Sequence, residues 1–127
     1  MGGPITGRAR RPRQLLPQSR ARIGRIRTDP AAFALVARVA AVRGVPLRDL
    51  LRGGQSRGYL GLSRQLAMYL VHVLLSRSQQ DVAVLFSRAT TTVSYACRNI
   101  ELLRDDPVFE AQIAVIEADD CEVRHAA

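Results

Sequence analysis

From residue 29 onward the chain is a succession of short runs in which apolar residues recur at spacings of three and four, each opened by a helix-starting residue and closed by a breaker. Such spacing gives every run one buried stripe, which commits the chain to short amphipathic helices packed on one another. In the clearest run the stripe is Val93, Ala96, Cys97, Ile100 and Leu103. With 127 residues, 47% of them apolar and only 5% aromatic, the chain holds one domain's worth of core. The expected class is all-α.

Punctuation sets the elements. Asp29 is a good N-cap, Pro30 suits a first helical position and Gly44 can close the run, so a first helix is expected between them. Its inward face reads as Phe33, Val36, Ala37 and Ala40. A short second helix starts at Pro46 and stops at Gly53–Gly54. The loop "RGGQSRGYLG" follows, with Arg52 and Arg57 among glycines: either a solvated loop or one that lies close to another backbone and meets phosphates. The third helix is expected from about Leu62 to Leu75, burying Leu66, Tyr69, Leu70, Val73 and Leu74, with His72 a partly buried or surface histidine rather than a ligand. Ser78, with Asp81 three residues on, has the form of a capping box and opens a fourth helix that buries Val82, Leu85 and Phe86. After the turn Ser87–Arg88–Ala89, Thr90 is expected to cap a fifth helix, and Pro107 stands near the start of a last one with Val108, Ile113 and Ile116 turned inward.

Charge divides the chain into three zones. Residues 1–28 hold eight arginines and no acid, and are expected to form a flexible Arg-rich arm. Residues 29–104, the expected helical domain, hold ten arginines against four acids; residues 105–127, an acidic helix or tail, hold seven acids against Arg124. That acidic helix can dock on the chain's own arginines or on another protein. All 19 basic residues are arginine, a choice that a GC-rich genome favours, and without lysine neither a phosphate-binding P-loop nor a Schiff-base site can exist. Cys97 and Cys121 match no metal or redox spacing and read as reduced thiols of a cytoplasmic protein. The acids show no metal-site spacing, and no nucleophile–base pair or cofactor loop is visible, so no enzyme, cofactor, metal or small-molecule substrate is expected. "LAMYLVHVLL" at 66–75 is too short to cross a bilayer, and "MGGPIT" fits the myristoylation pattern only as such short matches do by chance.

Function is concentrated in the fifth helix. Opposite its apolar stripe it shows Thr91, Thr92, Ser94, Tyr95, Arg98 and Asn99, a polar, short face with a single charge. Two short helices joined by a tight turn, the second with such a face, suit a helix-turn-helix that docks in a major groove. Threonine is a mediocre helix former, yet Thr91 and Thr92 offer hydroxyls to phosphates and methyls to thymine.

The segments "SRQLAMYL" (63–70), "SQQDVAVLF" (78–86) and "TTVSYACRNIE" (91–101), in that order, resemble the C-terminal DNA-binding domain (domain IV) of the bacterial replication initiator DnaA. The resemblance covers roughly residues 30–104. It implies a small helical fold of the Trp repressor and DnaA domain IV kind, whose helix-turn-helix enters the major groove of a short asymmetric box while a basic loop reaches the minor groove. By this resemblance Arg64 and Gln65 would contact phosphate, and Ser78, Gln79 and Gln80 would meet the backbone at the start of the fourth helix. Thr91 would read bases, Thr92 and Tyr95 would lie near the backbone, and Arg57 would stand in the minor-groove loop with its register offset. Arg88, Thr90, Ser94, Arg98 and Asn99 complete the expected DNA-binding set.

The departures from the family matter as much. The initiator usually has a Gly-Gly-Arg-Asp-His-Thr-Thr turn; here "FSRATTTV" is one residue shorter, and Ala89 and Thr90 stand where Asp and His are expected. The chain also leaves no room for the initiator's ATPase domain, so it is expected to be a stand-alone DnaA-like protein. The expected function is binding of double-stranded DNA with altered sequence specificity, regulating replication initiation or transcription, on the nucleoid. The alternative is a protein-interaction regulator of the initiator or its inactivation machinery, supported by the missing Asp-His pair and the acidic tail.

Overall fold

The computed structural model of the chain describes residues 25–52 and 57–126, with side chains as far as Cys121. Among the described residues, 25–27 are helical, and after them come α1 (Pro30–Arg43), α2 (Leu47–Leu51), α3 (Gly58–Leu74), α4 (Gln79–Phe86), α5 (Thr90–Leu103) and α6 (Pro107–Ala126). No strand occurs among the described residues. The fold is all-α with a helix-turn-helix formed by α4 and α5.

α3 is the hub, packed against α1, α2, α4 and α5. Leu66 to Leu70 and Val71 are all buried, a run without an exposed face, because neighbours cover the helix on every side. A helix apolar all round belongs in a core. Val73, expected inside, is 40% exposed, on the wall of an open hollow between α3 and α5. The helix also begins four residues before Leu62: Arg57 is extended and Gly58 takes φ 63°, so neither Gly58 nor Gly61 interrupts it.

α1 is capped as its sequence demands. The Asp29 carboxylate accepts from Ala32 N–H, Pro30 occupies the first turn, and Gly44 at φ 69° closes the helix. The buried face is Ala32, Leu35, Val36, Val39 and Ala40, while Phe33 and Ala37 are only half-buried. In a helix so uniformly apolar, spacing alone does not fix the phase; the contact with α3 does. Asp29 also receives two bonds from Arg77, at 2.7 and 3.1 Å, which ties the start of α1 to the α3–α4 loop. Those bonds hold its carboxyl below the usual value of 3.8, outweighing the opposite effect of burial.

α6 packs on α1, with Phe109, Ile113 and Ile116 buried. Val108, expected inward, is 72% exposed: the Asp106 carboxylate accepts from Val108 N–H, which sets the helix phase so that Phe109 faces the core. Polar ties reinforce the packing. Arg38 meets Asp120 at 2.8 Å, and Arg104 meets Glu110 through two nitrogens and Glu117 at 3.5 Å. Arg43, 6% exposed, donates to Ser63 and Gln112 and lies over the Tyr59 ring at 4.0 Å and the Phe109 ring at 5.6 Å. Since Arg43 meets residue 112 and Arg38 meets residue 120, α6 runs antiparallel to α1. The acidic helix thus docks on the chain's own arginines. At the other end, Ile26 is fully buried, so residues 25–28 contribute to the core although the basic zone extends through them. Residues 1–24 of the expected arm lie outside the described residues.

Candidate nucleic-acid interface

Ser78 starts α4 as a cap, its hydroxyl accepting from Asp81 N–H at 3.0 Å. α4 ends in a Schellman closure, with Arg88 N–H on the Ala83 carbonyl and Ser87 N–H on the Val84 carbonyl, which puts Ser87 in the left-handed region at φ 54°. Three residues, Ser87 to Ala89, therefore turn the chain from α4 into α5. Thr90 is not the cap: α5 begins at Thr90 itself, and Ala89 occupies the cap position with no side-chain hydrogen bond. The first-turn amides of α5 are thus left without a side-chain acceptor. Together with the partial positive charge of a helix N-terminus they suit an anion.

From this start α5 buries Val93, Ala96, Cys97 and Ile100 and exposes Thr90, Thr91, Thr92, Tyr95 and Arg98, Tyr95 by 60%. Burial raises the Cys97 thiol pKa, and Glu101 adds to the rise. A groove of about 450 Å³ runs beside the helix, lined by Arg57, Gly61, Arg64, Gln65, Met68, Arg88, Thr92 and Tyr95. On the other flank a concavity of about 320 Å³ is lined by Tyr69, His72, Gln79, Ser94, Arg98 and Glu101 among others. α5 is a ridge between two hollows, each of which contains arginine. Tyr69 donates to the Glu101 carboxylate and accepts from Arg104 at 3.1 Å; burial raises its pKa, and the Glu101 bond adds to this.

Most of the residues singled out from sequence gather here. Arg57 is exposed at the mouth of the first groove, Gln80 is exposed, and Ser78 and Gln79 stand at the start of α4. Arg64 is placed differently from an outward phosphate contact. It is 5% exposed, and its Nε and Nη2 donate to the carbonyls of Leu50 and Asp49 at the end of α2. It brings charge to the groove floor while bracing α2. Arg88 likewise donates to the Arg52 carbonyl at 2.8 Å, joining the turn to the end of α2. Ser94 and Asn99 are half-buried rather than free: Ser94 donates to Gln79, and Asn99 donates to Gln65 at 2.7 Å.

One lining residue, Met68, was not among the expected site residues; Gly61 belongs to the glycine-containing loop read from the sequence, but lies within α3. Among the described residues no cluster of acids, histidines and cysteines can hold a metal ion, and no helix is long and apolar enough to cross a membrane.

A family model described as the bacterial dnaA protein helix-turn-helix matches residues 34–100. Chromosomal replication initiator protein DnaA 2 of Chlamydia pneumoniae is 38% identical over 76 residues, 59% of this chain. Its counterpart DnaA 2 of Chlamydia trachomatis is 35% identical over 78 residues, and DnaA 1 of Protochlamydia amoebophila 34% over 79, each over 61% of this chain. The chain spans only 17% of the length of these curated relatives.

Proposed function

The chain belongs to the bacterial DnaA helix-turn-helix family, and on that premise we propose that it binds double-stranded DNA, with α5 in the major groove. The observation that carries this reading is the groove beside α5, where Arg57, Arg64 and Arg88 stand next to an exposed threonine and tyrosine face. Arginines in the hollows suit the two phosphate backbones, and the hydroxyls and methyls of α5 suit base edges.

The finer reading is a regulator of replication initiation or transcription, held at the nucleoid by DNA, whose sequence preference differs from the initiator's own. Ala89 cannot accept a hydrogen bond from cytosine, and Thr90 reaches less far than histidine. Each good base contact is worth about 1–3 kcal/mol, so the loss of two weakens preference for an initiator box by roughly 10²-fold or more.

The test is fluorescence anisotropy on residues 25–127, the cut falling before Arg25 because Ile26 is in the core. A duplex with an initiator box is compared with a scrambled one at about 150 mM salt; the cut removes six of the eight arm arginines, which would otherwise bind any DNA. Similar affinity for both duplexes is the expected result. A marked preference for the box overturns the altered specificity but keeps DNA binding. Binding to neither overturns the DNA reading and favours a regulator that acts on the initiator or its regulators by protein contact.

A further inference from the structure

Ser94 and Asn99 lie on opposite flanks of α5, and each gives its hydrogen bond to a glutamine of another helix. Asn99 Nδ2 donates to Gln65 Oε1 on α3, and Ser94 Oγ donates to Gln79 Oε1 at the start of α4. A glutamine amide has one acceptor end and one donor end. In both glutamines α5 occupies the acceptor, and the two N–H donors of Nε2 have no hydrogen-bond partner among the described residues. Gln65 lines the hollow of Arg57, Arg64 and Arg88; Gln79 lines that of Arg98, in which the Glu101 carboxylate is taken up by the Tyr69 hydroxyl.

We propose that Ser94 and Asn99 are positioning residues, not base readers: each fixes a glutamine so that its amide donors meet a phosphate, one on either side of the major groove. The inference rests on the DNA-binding reading above. A helix seated in a major groove has a sugar–phosphate chain along each flank. Two amides turned donor-outward in arginine-containing hollows on those flanks suit both chains. The bonds also couple the helix that reads bases to the groups that hold the backbone, so engagement of phosphate fixes the depth of α5. Free glutamine side chains would lose rotamer freedom on binding, whereas these are already held.

The experiment is a pair of double-mutant cycles on the full chain, Asn99→Ala with Gln65→Ala and Ser94→Ala with Gln79→Ala. Duplex affinity is read by anisotropy at about 250 mM salt, where the arm contributes little. Several duplex sequences are used, and thermal melting is followed in parallel. Each single substitution is expected to weaken binding by about 3- to 10-fold on every sequence alike. Each double variant should be no weaker than its worse single. The slope of log affinity against log salt should not change, because no charge is removed. Ser94→Thr, which keeps the hydroxyl, should bind as the parent does.

A loss confined to particular sequences would make Ser94 or Asn99 a base reader and overturn the proposal. So would additive losses, or none. If the parent chain binds no duplex at about 250 mM salt, where the arm contributes little, the DNA-binding reading falls instead, and the two failures are told apart by that control.

Discussion

Asp29 does two jobs with one carboxylate, capping α1 and holding Arg77. Asp29→Ala is expected to destabilise the chain by about 1–2 kcal/mol at neutral pH, seen in urea melts. Because the folded carboxyl titrates below its ordinary value, its contribution is present above 3.8 and is lost as pH falls through the depressed folded value. The deficit of the variant should therefore shrink in acid and stay constant from pH 5 upward. At the start of α5 the opposite change applies. Ala89→Asp supplies the missing cap, and should raise stability by about 0.5–2 kcal/mol while restoring part of the preference for an initiator box in anisotropy. The thiols make a third case. Cys121 is exposed, whereas Cys97 is buried and its pKa raised, so near pH 8 a soluble thiol reagent should modify Cys121 much faster.

At the scale of elements, the α4–α5 turn carries a correctable strain. Ser87 holds a left-handed conformation that glycine adopts freely, so Ser87→Gly should stabilise the chain by about 1 kcal/mol, less whatever the exposed Arg25–Ser87 bond contributes. Calorimetry should show a rise of a few degrees. This turn also shows what was legible in the sequence. Ser78 with Asp81, Asp29 with Pro30, and Gly44 announce helix ends because caps obey local rules. The stripe of α5 was equally plain, since its other face is polar. α1 and α3 were not, because a helix apolar on most sides has no phase until its neighbours choose one; hence Leu35 and Val39 went unread and Val73 was misplaced. Within the candidate site, residue types and their order pointed to residues that the fold gathers around α5. The sequence does not say, however, that Arg64 turns inward or that Ser94 and Asn99 are engaged, because both facts depend on helices brought together from 14 to 34 positions apart.

Over the whole molecule, α6 closes the fold by lying along α1 rather than trailing as a solvated tail. Ile116→Ala should cost about 2–5 kcal/mol, a large share of the roughly 5–15 kcal/mol that holds a domain together. Loss of a cooperative melt in that variant, with duplex affinity falling alongside, would show α6 to be integral; an unchanged melt would show it to be dispensable. The division of α5 into a buried stripe and an open polar face has a wider consequence. Thr91, Tyr95 and Arg98 stand on the open side, while folding rests on Val93, Ala96, Cys97 and Ile100. Those three positions can be randomised together in a selection library with little loss of foldable members, so the scaffold could evolve new DNA addresses by point mutation while its architecture stays the same.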